Sequence, residues 1–385
     1  MAFSLEDARP DPASDRAQQR ATRIIFFIAG LAVAAWAPLV PFAKARTHLD
    51  DAGLGLLLLC LGAGSLLAMP MAGAWAARSG CRLVLRITSL IVFATLPLLA
   101  SIDAPLALGL ALFVFGASIG ALDCTMNVMA VQVERQAGTP MLAGIHAWYS
   151  VGGLAGAAAT TMLLSAGLSP LTVTLAVVVV LLALYALAAP YWRDERAPRD
   201  GPAFARPRGV VWLIGFACLV SFLAEGAMLD WSAVLLVEDK GMAPRHAGAG
   251  FALFSVAMTA VRLGGDALIR RWGLVRNVVA GAIAAGVGLL LTAFAPGPAS
   301  AALGCAIVGA GAANVVPALF SLAGQQTAMP ASVAIPAVTT LGYAGILAGP
   351  ALIGFVAHAS SLPLALAGVA IALSGVALLA RRLPR

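Results

Sequence analysis

Two acidic residues stand deep in long apolar runs. Asp123 lies in GASIGALDCTMN (Gly116 to Asn127) and Glu225 in FLAEGAMLDWSA (Phe222 to Ala233). An isolated carboxylate in such surroundings binds and releases a proton as its hydration changes, and it also accepts hydrogen bonds from a polyhydroxylated ligand. At 100° per residue, Gly116, Gly120, Asp123 and Asn127 fall within about 60° of one another on a helix. One stripe thus carries two glycines, which let a neighbouring helix approach closely, and two polar groups. Asp123 has two readings: a proton carrier, or a structural partner of His146, which the sequence places at similar depth. Glu225 is a second protonation site or a hydrogen-bond acceptor for a substrate. Asp230 and Trp231 follow it toward an interface, where Trp is a common anchor. Arg262 and Asp266, one turn apart, are expected to pair with each other.

Other chemistries lack their residues. The four histidines (His48, His146, His246, His358) show no HExxH spacing, and the five cysteines (Cys60, Cys81, Cys124, Cys218, Cys305) form no CxxC pair. The cysteines read as small packing residues. No GxxxxGK[ST] phosphate loop and no clustered nucleophile and base are present, so the chain is not expected to be an enzyme or an ATP-driven pump.

The elements that must hold these groups follow from composition. Of 385 residues, 61% are apolar and 11% charged, against about half and a quarter in a soluble domain. The chain reads as an all-α integral membrane protein, because only helices satisfy every backbone group of such segments in lipid. Twelve runs are long enough to span: 24–42, 52–75, 83–100, 106–128, 145–166, 171–191, 209–231, 247–268, 277–295, 299–322, 335–358 and 362–380. A tail at 1–23, rich in Asp, Arg, Ser, Pro and Gln, is expected to be disordered and cytoplasmic, and not a signal peptide. The first run then serves as an uncleaved anchor. A polar linker at 192–208 divides an N-terminal six-helix bundle (24–191) from a C-terminal one (209–380), and 381–385 form a second cytoplasmic tail.

With the tail inside, 19 of the 24 Lys and Arg lie in cytoplasmic segments and four outside, while Arg262 is within a span. That asymmetry fits an even number of spans with both termini in the cytoplasm. The net charge of +7 therefore reports topology, and no nucleic-acid partner is expected.

Three features recur at one offset. Arg78-Ser-Gly80 matches Arg271-Trp-Gly273, Gly116-Ala117 matches Gly309-Ala310, and Gly152-xxx-Gly156 matches Gly345-xxx-Gly349, each pair 193 positions apart. Shared register at equivalent spans implies a parallel duplication of a six-helix unit, with a site between the halves. The offset carries Asp123 to Val316, so the carboxylate belongs to one half.

The loop after the second span, Gly73-AWAA-Arg78-S-Gly80-C-Arg82, resembles the signature of the major facilitator superfamily, with Ala77 at the usual Asp position. The second copy, Gly265-Asp266-ALI-Arg270-Arg271-W-Gly273, keeps an acid. Leu122-Asp123-CTM-Asn127, Glu225-Gly226 and Pro317-AL-Phe320-Ser321-Leu322 are similar to the fucose-permease-like branch. The resemblance implies two six-helix bundles that alternate access to a central site. It implies a cytoplasmic latch at Gly73, Arg78, Gly80, Arg82, Arg262, Asp266, Arg271 and Gly273. Spans one, four, seven and ten line the cavity in this superfamily, with five and eleven beside them. Trp36, Asn127, His146, Tyr149, Asn314 and Tyr343 are thereby substrate-contact candidates, although packing or satisfied hydrogen bonds would also explain each. The functional expectation is a monomeric secondary transporter of the bacterial inner membrane. It would move a sugar or polyol in symport with protons, coupled through Asp123 and Glu225, and would need no cofactor beyond the proton gradient. A proton-driven exporter of drugs or metabolites is the alternative reading. A membrane sensor or embedded enzyme is a remoter one.

Overall fold

The computed structural model describes residues 12–49, 51–192, 206–242 and 249–383. Among these there is no strand. The helices in chain order are α1 (Pro12–Trp36), α2 (Asp51–Ser79), α3 (Cys81–Ser101), α4 (Pro105–Ala137), α5 (Leu142–Ser165), α6 (Pro170–Ala188), α7 (Val210–Val234), α8 (Ala249–Trp272), α9 (Leu274–Phe294), α10 (Pro298–Gln325), α11 (Ala331–Ala359) and α12 (Leu362–Ala380). Short turns and helices extend α1 to Thr47, α6 to Tyr191 and α7 to Asp239. Eleven of the twelve meet the length and hydropathy of a membrane span. The twelfth, α5, has 24 residues, contains no Asp, Glu, Lys or Arg, and packs along α1.

Several boundaries differ from the sequence reading. Residues 12–23 of the expected disordered tail are helical, because DRAQQRATR continues the helix periodicity of the apolar run without a breaker. Helix α4 continues past Val128 to Ala137 and ends at Gly138 with φ +64°. Helix α10 is interrupted at Asn314, whose φ and ψ are −105° and 0°. Residues 1–11, 193–205 of the expected linker, the outer-loop Arg245 and His246, the first two residues of the eighth run (247–248) and 384–385 lie outside the described residues.

The duplication is visible atom by atom. Gly80 and Gly273 begin α3 and α9 with φ +82° and +81°, a region that favours glycine. A Cβ at Gly116 would lie 2.0 Å from the Leu61 carbonyl oxygen, and one at Gly309 would lie 2.1 Å from the Phe254 carbonyl oxygen. Both the glycines and their partners are 193 positions apart. In each half, therefore, the second and fourth helices touch backbone to backbone. The first and fifth do likewise: Gly152 meets Phe27 and Gly345 meets Leu219. In lipid, such close approach supplies the packing that water-driven burial supplies elsewhere.

The halves meet through α2 with α11, α5 with α8, and α4 with α10 and α11. Neither α1 nor α7 packs extensively against the opposite half. Among the described residues, the halves touch at the end that carries Arg78, Arg135 and Arg270. At that basic end, Gly73 sits on Pro336 and Gly324 on Val131.

Candidate functional site

Helix α4 brings Asp123 to the middle of its 33 residues, deeper than a span ending at Val128 would place it. The glycine stripe faces α2, where the Ser65 hydroxyl donates to the Gly116 carbonyl at 2.7 Å. Asp123 turns instead toward the other half, where the Tyr343 hydroxyl of α11 lies within hydrogen-bonding reach of its carboxylate. Asn127 Nδ2 donates to the Asp123 carbonyl at 2.9 Å, and its buried Oδ1 has no partner among the described residues.

Arg262 on α8 is the second centre. It was expected to pair with Asp266 and belong to the latch. Instead Arg262 Nη2 lies 3.8 Å from Glu225 Oε1 on α7, and Nη1 donates to the Ser150 hydroxyl on α5 at 2.9 Å. Two causes explain the correction. Helix α8 runs four residues beyond the expected end at Leu268, which puts Arg262 ten residues from its terminus at Trp272. In addition, Pro317 has no N–H to give to the carbonyl four residues earlier, so the Ala313 carbonyl is left open at the α10 break. Arg262 Nε fills that vacancy at 2.9 Å. The break thus fixes the guanidinium in the middle of the molecule, between Glu225 of its own half and Ser150 of the other.

Tyr149 lies within electrostatic range of Asp123, Arg262 and Glu225, and Tyr343 within range of Asp123 and Tyr149. The structure therefore brings Asp123 and Tyr343, and Arg262, Ser150 and Glu225, within electrostatic reach of one another around Tyr149, on α4, α5, α7, α8 and α11. Asn314 at the α10 break is buried, and a Cβ on Gly265 would contact its Oδ1, which has no hydrogen-bond donor among the described residues. Trp36 at the end of α1 is buried with an unpartnered Nε1. His146 does not grip Asp123. Its Nδ1 lies 2.9 Å from the Leu142 carbonyl, and its ring stacks on Phe320 and meets Phe26 edge-on. Aromatic neighbours on both sides hold it out of reach of the carboxylate. Asp230 is exposed near the far end of α7, while Thr339 and Thr340 bond their own helix.

The basic end is closed by carboxylates on the start of α5. Asp266 Oδ1 of α8 accepts from the Gly144 amide at 2.9 Å, across the two halves. Glu134 Oε2 accepts from the Met141 and Leu142 amides at 2.8 and 3.0 Å, and its Oε1 accepts from the Ser321 hydroxyl of α10. The first amides of a helix have no partner within it, so an acid there satisfies them and complements the helix dipole. Glu134 and Ser321 escaped the sequence reading as gate residues. Arg78 and Arg271 are exposed and Arg82 is half-buried with its Nε unpartnered, and none of the three makes a salt bridge or hydrogen bond between the halves among the described residues. Gly80 and Gly273 shape the loops, and Gly73 packs on α11.

The sequence model of the Major Facilitator Superfamily matches residues 24–350. The chain belongs to this superfamily. An MFS-type transporter of Yersinia pestis is 49% identical over 369 residues, covering 96% of each chain. A Sinorhizobium fredii transporter is 31% identical over 345 residues, covering 88% of this chain and 91% of that one. Membrane protein MosC of Rhizobium meliloti is 30% identical over 343 residues, covering 89% and 84%. Among solved structures, the fucose:proton symporter of E. coli has a TM-score of 0.78 at 16% identity, covering 95% and 98%. The human organic anion transporter MFSD10 has a TM-score of 0.77 at 16% identity, covering 95% and 99%. As a superfamily member, the protein is a multi-pass membrane transporter and not an enzyme.

Proposed function

We propose that this transporter carries a small neutral polyol, a sugar or a sugar-like compound, together with protons. Access to the central cluster alternates between the two faces of the bacterial inner membrane. The basic end is the cytoplasmic one, by the excess of Lys and Arg there. On this reading the state is closed on the cytoplasmic side, with α5 clamped to the C-terminal half beneath the site.

One observation carries the reading. Each half contributes one intramembrane carboxylate: Asp123 faces Tyr343 of the opposite half, and Glu225 pairs at 3.8 Å with Arg262 of its own half, whose guanidinium donates to Ser150 across the halves. Protonation of Asp123 weakens a contact between halves, and protonation of Glu225 frees the guanidinium that bridges to Ser150, so proton binding and rocking are linked. Among the described residues, the buried Asn127 Oδ1, Asn314 Oδ1 and Trp36 Nε1 lack partners, which suits a ligand rich in hydroxyls. The fold shared with a fucose:proton symporter agrees with that substrate class.

The test is a thermal-shift screen of purified protein against monosaccharides, polyols and a control set of apolar cations. At least one sugar or polyol is expected to stabilise the parent, and Asp123→Asn and Glu225→Gln should keep a smaller stabilisation, because each loses one acceptor and retains the rest of the site. Stabilisation by the apolar cations alone would favour drug export and sink the substrate assignment.

A further inference from the structure

We propose that a cavity at the basic end of the C-terminal half binds the phosphate headgroup of an anionic phospholipid. The cavity measures about 780 Å³ and lies between the start of α9 and the ends of α10 and α12. Its wall includes Trp272, Arg276, Ile283, Leu322, Gln325 and Arg381. It shares no residue with the central cluster or the α5 clamp.

Three features select a lipid. The charge is one-sided. Arg276 and Arg381 are exposed, neither has a salt bridge or hydrogen bond among the described residues, and no Asp or Glu occurs in 268–283, 318–330 or 376–385. The polar part opens directly onto a hydrocarbon-facing surface. Arg276 heads a stripe on α9 that continues through Ala280, Ile283, Val287, Leu290 and Phe294, all exposed at helical spacing. Trp272 is 44% exposed at the mouth, where an indole sits at the level of lipid headgroups. A headgroup phosphate between the two arginines would leave its acyl chains along the α9 stripe. A free anion uses the first feature only. Basic pockets between helices at the cytoplasmic side are the known setting for anionic headgroups.

The experiment is native mass spectrometry of the detergent-purified full chain, titrated with phosphatidylglycerol, phosphatidylethanolamine or inorganic phosphate. The variants are Arg276→Gln/Arg381→Gln, which removes the charges, and Ala280→Phe, which fills the groove and keeps them. Arg78→Gln, an exposed arginine of the other half, is the control. Expected is preferential retention of phosphatidylglycerol by the parent and by Arg78→Gln, with about thirtyfold weaker binding in the double variant, from two basic groups. Ala280→Phe should lose the lipid although its charge is unchanged. Retention by Ala280→Phe equal to the parent would mean diffuse attraction and would overturn the site. Equal retention by the double variant, or displacement of the lipid by millimolar phosphate, would also overturn it.

Discussion

Loss of the Asp266 carboxylate should open the basic end. Asp266 makes one charged hydrogen bond across the halves, to the Gly144 amide at 2.9 Å. Such bonds contribute about 1.5–3 kcal/mol, and a half-exposed carboxylate belongs at the low end. Asp266→Ala should therefore shift the ratio of closed to open basic ends about tenfold toward open. Ser321→Ala removes the other tie, the hydroxyl bond to the buried Glu134, and leaves the bonds from Glu134 to the Met141 and Leu142 amides in place. At about 2 kcal/mol, that change shifts the ratio about thirtyfold. The two ties stand on different helices, so the double variant should approach the product, about 300-fold. Spin labels on cysteines at the exposed positions 135 and 270, one in each half, read the separation of the basic ends by pulsed dipolar spectroscopy. A long-distance population should appear in each single variant and dominate in the double. A distance distribution unchanged in both single variants would refute the assignment of the start of α5 as the clamp. A longer distance in Ser321→Ala but not in Asp266→Ala would leave Glu134 as the only tie.

Further outcomes follow from particular contacts. Arg262→Met leaves Glu225 buried without its cation, a loss of roughly 3–5 kcal/mol, and should lower the melting temperature sharply. Adding Glu225→Gln should recover most of that loss, and a double variant no more stable than Arg262→Met would contradict the pairing. Pro317→Ala restores a backbone donor to the Ala313 carbonyl. It should straighten α10 and weaken the hold on Arg262, visible as reduced ligand stabilisation in the thermal-shift screen with little change in folding. Gly309→Val places a side chain where 2.1 Å separates a Cβ from the Phe254 carbonyl oxygen and should abolish folded yield. The same change at Gly264, with nothing within 4 Å, should leave yield intact.

The duplication was legible because it is written in glycines, and a glycine at a helix crossing cannot drift without separating two backbones. Gly116 with Leu61 and Gly309 with Phe254 keep the offset for that reason. The depth of Asp123 and Glu225 was legible for a related reason, since a carboxylate in an apolar run has few places to go. Their partners were not. Tyr343 reaches Asp123 from a helix 220 positions away, and only the docking of two halves decides that meeting. Arg262 was misassigned because the spacing of four to Asp266 is a sound local rule that lost to a carbonyl opened by Pro317 on another helix. Glu134 was passed over because the apolar run stops at Val128, while the helix carries on for nine residues to Gly138. Hydropathy marks where lipid ends and says little about where a helix ends.

The central claim is that Asp123 and Glu225 couple protons to substrate, and proton flux tests it most directly. Purified protein is reconstituted in liposomes without a pH gradient, and the sugar or polyol that gives the largest thermal shift is added outside. A pH-sensitive dye follows the external medium. The parent should alkalinise the medium on addition, whereas Asp123→Asn and Glu225→Gln should not, while both still exchange labelled for unlabelled substrate. Substrate-dependent alkalinisation that persists undiminished in either variant would contradict the role of that carboxylate. Uptake by the parent with no proton movement would contradict coupling altogether.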